Sequence, residues 1–254
     1  MLTETEGMVI RQIKATSGRR MVLLFSKAYG KISVGTSLNE KRLRSRSSLL
    51  IRPFTYGTYE LFRGRNSYDL NGGEVIRSFY EMAASLDKFV EASFVLELTD
   101  KALPEELPQP GLFRLLIDFF RCLEKAAPAG IQTLVICYMV QLLDQMGIFP
   151  NLEGDPAGDA GSKKRYFSVA DGCVLGEDQT KKQEESSAAG QEKRLLYPIS
   201  FDTIKVIRYF QKKPIDSFGK VALREEPARA IRTLLRDYME YHLGIGPLKS
   251  EGMF

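Results

Sequence analysis

The sequence predicts an α+β, multi-domain chain with a small N-terminal β-barrel, a helical bundle behind it, and a short β-hairpin inserted into the bundle. Three observations predict it. Up to about residue 78, apolar residues recur at every second position in short runs broken by glycine. Beyond that point they recur every three or four residues. Between 151 and 196 both periods give way to turn-forming and charged residues. The predicted division is therefore 1–78 for the barrel, 79–150 with 197–254 for the bundle, and 151–196 for the insertion.

In the first segment, Gly7 to Ile13, Arg20 to Ser26 and Gly30 to Gly35 alternate as strands. Thr36 to Ser48 is polar and basic and reads as a mobile loop. Phe54 to Arg63 is rich in aromatic and β-branched residues at a period near two; Gly64-Arg65 breaks it and Asn66 to Leu70 resumes it. Asn71-Gly72-Gly73 is a turn signal. Five short strands with glycine turns fit a barrel of the oligonucleotide-binding type.

The helices follow in order. Phe79, Met82, Ala83, Leu86, Phe89, Val90, Ser93, Phe94, Glu97 and Leu98 share a stripe in which Glu97 is the single charge, and Leu103-Pro104 ends it. Leu112 to Lys125 and Ile131 to Met146 have wide apolar faces, which successive short joins turn into a bundle. After a turn-rich stretch, Tyr166 to Val169 and Cys173 to Leu175 flank Ala170-Asp171-Gly172 as a hairpin, and Gln179 to Gln191 is polar. Helices over Phe201 to Gln211 and Pro227 to Leu243 close the chain.

Charge narrows the function. Residues 1–80 carry 14 Lys and Arg against 6 Asp and Glu, residues 81–127 carry 5 against 9, and residues 128–254 balance at 17 each. The N-terminal end therefore suits a polyanion. Arg42, Arg44, Arg46, Arg52, Arg63 and Arg65 flank or interrupt strands that carry Tyr56, Tyr59 and Tyr68. Two readings fit: arginine grips phosphates while tyrosine stacks on bases, or the tyrosines fill the barrel and the arginines keep its edges soluble.

Other classes find little support. Three cysteines without paired spacing argue against a disulfide framework. The first ten residues lack the apolar run of a secretory signal, and no apolar stretch is long enough for a bilayer, so the expected setting is cytosolic. Cys173 could act as a nucleophile only with a base, and the one histidine, His242, sits among Tyr238 and Tyr241 as a packing residue. Nuclease-type carboxylate clusters and glycine-rich phosphate loops are absent. A binding protein is expected, not an enzyme.

The chain resembles the bacterial RecO recombination-mediator family. The resemblance rests on Glu6-Gly7-Met8-Val9, Leu24-Phe25-Ser26 followed by Gly30-Lys31, Arg46 leading to Pro53-Phe54, Leu61-Phe62-Arg63-Gly64 and Leu103-Pro104-Glu105-Glu106. It continues through Gly147-Ile148-Phe149-Pro150-Asn151-Leu152, Tyr166-Phe167-Ser168, Tyr241-His242-Leu243-Gly244 and Leu248-Lys249-Ser250. It covers nearly the whole chain in order.

The resemblance implies an oligonucleotide-binding barrel (OB-fold), a helical domain and a small zinc-ribbon-like insertion. It also implies binding of single- and double-stranded DNA, annealing of complementary strands and, with RecR, loading of RecA on DNA coated by single-stranded-DNA-binding protein. One departure concerns the metal. Where many members have two Cys-x-x-Cys pairs, this chain offers Asp155 and Asp159, and Gly176-Glu177-Asp178-Gln179. Four soft ligands make a structural zinc site, so the expectation is a degenerate ribbon without zinc and no cofactor.

Expected phosphate contacts are Lys14, Arg19, Arg20, Lys27, Lys31, Lys41, Arg42, Arg44, Arg46, Arg52, Arg63 and Arg65, with Tyr56 and Tyr59 beside them. The acidic tail of single-stranded-DNA-binding protein is a ligand that the resemblance implies. Lys205, Arg208, Lys212, Arg229, Arg232 and Arg236, beside apolar helix faces, are candidates for its dock or simply the solvated sides of amphipathic helices. The other binding class that fits is an RNA-binding or ribosome-associated module, because such a barrel does not reveal from composition whether it reads a 2′-hydroxyl.

Overall fold

The structure, a computed structural model, describes residues 1–14, 20–36, 46–65, 67–153, 164–177 and 195–252. Five strands close a barrel in the order β1-β2-β3-β5-β4: β1 Leu2–Lys14, β2 Arg20–Ser26, β3 Gly30–Thr36, β4 Thr55–Arg63 and β5 Tyr68–Ser78. All neighbours are antiparallel except β3 and β5, which pair in parallel through Val34↔Tyr68 and Gly35↔Asp69. The alternating inward residues Val9, Val22, Leu24, Ile32, Val34, Leu61 and Tyr59, with Leu50 and Ile51 from a 3-10 turn, fill it.

Two elements differ from the sequence reading. β1 begins five residues earlier than expected, because Leu2 to Glu6 pairs along β4 from Leu2↔Phe62 to Glu6↔Thr58. Asn71-Gly72-Gly73 is not a turn, since β5 runs through it to Ser78 with two register shifts against β4. Glycine serves close approach there. A Cβ on Gly73, whose φ is +151°, would lie 2.1 Å from the Thr58 carbonyl oxygen, and one on Gly57 2.4 Å from that of Glu74.

The helical period then starts later than expected, with a 3-10 turn over Tyr80–Ala84 followed by α1 (Leu86–Ala102) and α2 (Pro110–Lys125). Both helices and the segment from Pro247 form one compact unit with the barrel, Met1–Ile131 plus Pro247–Phe254. This grouping is cut differently from the three-part division of the chain. The packing has a visible cause. α2 lays Phe113 against Phe25 and Tyr56 and lays Phe120 against Phe54 and Phe79, covering the apolar outer wall of the barrel. Phe54 adopts a left-handed φ of 65°. Its N–H donates to Val9 O, its carbonyl accepts from Phe79 N, and its ring is packed, so the surroundings hold a strained conformation in place.

α1 is buried on several sides, which explains Glu97. Its carboxylate accepts the backbone N–H groups of Lys249 and Ser250, each at 2.9 Å, and so caps the last 3-10 turn, Lys249–Gly252. Burial by itself raises the Glu97 pKa, but those donors, with the Ser250 side chain and the Lys101 charge, bring it below the ordinary value.

The second compact unit, Gln132–Gly246, contains most of α3 (Ile131–Gln145), a three-stranded sheet ordered β7-β6-β8, α4 (Phe201–Lys212) and α5 (Glu225–Leu243). The hairpin β6 (Arg165–Ser168) and β7 (Cys173–Gly176) stands where it is expected, while β8, Leu196–Pro198, is a strand that so short a run does not announce. Phe167 meets Tyr238 of α5 edge-on, the Tyr238 hydroxyl donates to Ile148 O, and the His242 ring bonds Val169 O. His242 is thus a packing residue. Among the described residues no helix is long and apolar enough to cross a membrane.

Candidate nucleic-acid interface

Strand register decides which basic residues gather. Lys14 pairs with Arg20 and Arg20 with Thr36, so the ends of β1, β2 and β3 lie side by side. Next to β3 the parallel ladder brings Tyr68, and Tyr68 pairs with Arg63. Lys14 and Arg20 therefore lie at one end of the barrel, whereas Arg63 and the exposed Arg65 lie at the other, where the Arg63 N–H donates to Met1 O and the β2–β3 turn carries Tyr29. Arg63 lies with its guanidinium carbon 5.3 Å from the Tyr29 ring centroid and 5.8 Å from that of Tyr68. Such stacking helps to hold the fork in place. Arg52 is exposed in the turn before β4. Arg19, Lys41, Arg42 and Arg44 lie outside the described residues; Lys14 and Arg46 are placed by backbone alone.

The other surfaces of the barrel are unsuited to a polyanion. On the outer side of β1, β4 and β5, Glu4 sits directly opposite Glu60, and Glu74 follows opposite Thr58. Lys27, expected on phosphate, lies on this acidic side and is tied to Glu6 at 2.6 Å. On the wall under α1, Lys31 donates to Asp100 O at 2.6 Å and lies 3.4 Å from its carboxylate, with only 11% of its side chain exposed. The neighbouring Glu106 N–H donates to Lys31 O at 3.0 Å. Lys31 is therefore a fold contact, since a buried ammonium needs a partner. Arg11 joins it on Asp100 at 2.9 Å. The sequence reading missed Arg11 and Asp100; an arginine placed as a strand meets its bulge, and an acid in the last turn of a mostly apolar helix, were the available signals.

The two tyrosines are also corrected. Tyr59 is 1% exposed, its hydroxyl donates to Leu50 O at 3.0 Å, and burial pushes its pKa far up. No base can stack on it without opening the barrel. Tyr56 is buried under Phe113 and its hydroxyl donates to Glu6; burial first and that carboxylate second push its pKa up to about 12. Filling the barrel and its helix-covered wall, not stacking, is what these rings do.

The six cations of the second unit separate into two sets. Lys205, Arg208 and Lys212 share α4. The Lys205 ammonium is 4.3 Å from the Phe201 ring centroid, and Arg208 pairs with Glu153 at 3.4 Å. Arg229, Arg232 and Arg236 share α5 and are engaged. Arg229 meets Glu225 at 2.7 Å, Arg232 donates to Gln132 Oε1 at 3.1 Å, and Arg236 donates to Ile245 O and Gly246 O at 2.9 and 2.6 Å. Arg236, 11% exposed along its side chain, holds the carbonyls that follow α5 and is not open to a ligand.

Among the described residues no three His, Cys, Asp or Glu side chains converge as metal ligands. Asp155, Asp159 and Asp178 lie outside them. Cys173 is the insertion's one thiol, and the insertion has no histidine. This donor set does not fit a tetrahedral zinc site.

The family model described as "Recombination protein O N terminal" matches residues 1–79, and the one described as "Recombination protein O C terminal" matches 83–252. Among curated relatives, the DNA repair protein RecO of Bacillus velezensis is 27% identical over 96% of this chain and 91% of its own length. That of Exiguobacterium sibiricum is 26% identical over 96% and 93%, and that of Bacillus subtilis 25% over 96% and 91%.

Proposed function

Because the chain belongs to the RecO family of DNA repair proteins, we propose that it is a DNA-binding recombination mediator working through the basic ends of its barrel. It binds single- and double-stranded DNA and anneals complementary strands. With RecR it helps to load RecA on DNA coated by single-stranded-DNA-binding protein, whose acidic tail it also contacts. It does so without catalysis, in the cytoplasm on the nucleoid, and without structural zinc.

One observation supports this reading above the rest. The barrel is electrostatically divided, with basic residues at its two ends, Lys14 and Arg20 at one and Arg63 and Arg65 at the other, while the β1–β4–β5 wall bears Glu4, Glu60 and Glu74. A duplex or strand is repelled from the wall and drawn to the ends; Lys41, Arg42 and Arg44 follow in sequence after Thr36, which pairs with Arg20. Two strands neutralised on one molecule repel each other less, which is the physical basis of annealing.

The test is fluorescence anisotropy of labelled oligo-dT across a salt series, with Arg42, Arg44 and Arg46 changed together to Ala. Contact with Z phosphates gives a log–log slope of about −0.7Z for single strands. The triple change is expected to flatten that slope by about 2 and to weaken binding. Binding indifferent to salt, or untouched by the change, overturns the assignment to the barrel, and matched RNA competing better than DNA would move the protein to RNA.

A further inference from the structure

We propose that the outer face of α4 is a second strand-binding track, stacking a base of single-stranded nucleic acid on Phe201 while Lys205, Arg208 and Lys212 hold its phosphates. This rests on the DNA-binding reading above and deepens it, giving the molecule a second place to hold a strand.

Positions 201, 205, 208 and 212 fall within one narrow stripe of a helix. Phe201 is 58% exposed and Tyr209, beside the stripe, 53%. Folding does not account for Phe201, because burying a phenylalanine is favourable and this one stands in solvent. Nor is it a loose end. The Ser200 hydroxyl accepts the Thr203 N–H at 3.1 Å, Ile199 N–H donates to Arg165 O at 3.0 Å, and Tyr166 pairs with Pro198, so strand and helix fix the backbone that carries the ring.

Two cations attend it: Lys205 at 4.3 Å and Arg165, from β6, at 5.8 Å from the ring centroid. Among the described residues Glu153 pairs with Arg208 and Asp202 adjoins Phe201 in sequence, while the stripe itself carries three cations, Lys205, Arg208 and Lys212. An acidic peptide would also be drawn to these charges. Its apolar residues need an enclosing pocket, however, whereas rings more than half exposed and flanked by ammonium and guanidinium groups offer flat platforms beside phosphate ligands.

The experiment uses the full-length protein with two kinds of probe. Oligo-dT carrying 5-iododeoxyuridine is photocrosslinked and the adduct mapped by mass spectrometry. Donor- and acceptor-labelled oligo-dT report by energy transfer whether one molecule holds two strands. The expected results are an adduct on Phe201 and transfer that falls roughly 5- to 100-fold in Phe201→Ala/Lys205→Ala, with Phe201→Tyr close to the parent and thermal melting unchanged. Transfer in the double variant equal to the parent overturns the proposal. So does protection of Phe201 by polyglutamate but not by dT, which would assign the face to an acidic protein. If the parent binds dT and only the Arg42, Arg44 and Arg46 change abolishes transfer, this inference alone falls. If the parent binds no DNA, the reading under the preceding heading falls with it.

Discussion

Tyr59 in the barrel and Phe201 on α4 are both aromatic residues among basic ones, and they meet opposite surroundings. Tyr59 lies inside a closed sheet with its hydroxyl on Leu50 O, while Phe201 stands in solvent between Lys205 and Arg165. Closure makes the difference. A closed barrel has an interior that must be filled, so every second residue of its strands is claimed by packing. A helix on the edge of a unit has one covered face, and a residue on the other side is released for binding. The same contrast separates the cations: Lys31 and Arg236 are consumed by carboxylate and carbonyl partners, whereas Arg63 and Arg65 are exposed where β4 gives way to β5.

Substitutions can break this comparison, beginning with the greatest effect. Tyr59→Ala should cost about 3–5 kcal/mol in urea unfolding, as loss of a buried aromatic does; a loss below 1 would mean the ring is not core. Asp100→Ala should cost about 1–3 kcal/mol, because the nearly buried Lys31 loses its carboxylate, and the loss should persist at high salt. Tyr56→Phe should cost about 1 kcal/mol.

The pH dependence of the Tyr56–Glu6 pair can be signed. Tyr56 has its folded pKa raised from 10 to about 12, so its contribution is complete below pH 10 and disappears as pH rises through about 12. Glu6, lowered first by the Lys27 hydrogen bond and then by that of Tyr56, contributes above pH 4.5 and loses its contribution as pH falls below that value. Ultraviolet titration of tyrosinate in the parent and Tyr56→Phe checks the first sign, and acid unfolding of Glu6→Gln checks the second.

Smaller and more local is Glu97, whose lowered pKa makes the clasp on Lys249 and Ser250 strongest above pH 4.5 and progressively lost below it. Amide exchange at Lys249 and Ser250 should accelerate in acid in the parent and be fast at all pH values in Glu97→Ala. Least of all, Phe201→Ala should move stability by no more than about 0.5 kcal/mol, while weakening strand binding. A large loss of stability there would make the ring structural.

Much of the fold could be read in advance because a period of two and a period near 3.6 leave different marks, and the barrel, the hairpin and four of the five helices lie close to their predicted places. Asn71-Gly72-Gly73 was misleading, since glycine permits a turn and a close strand contact equally well and only the Thr58 carbonyl beside Gly73 distinguishes them. Glu97 interrupted an apolar stripe for a reason 152 residues away, in the turn it caps. The candidate site was legible as a class of chemistry, arginine and tyrosine alternating on strands, and not as a list of contacts.

What the sequence by itself determined was periodicity and charge: a strand-rich basic segment, then amphipathic helices, in the order of a RecO chain. What only the tertiary structure decided was which of those side chains remain for a ligand. Barrel closure drew Tyr59 inward, α1 and α2 covered Lys31 and Tyr56, and the antiparallel ladders set Lys14 and Arg20 at one end of the barrel and Arg63 at the other. The physical reason is that burial and register depend on partners distant in the chain, and local composition carries no record of them.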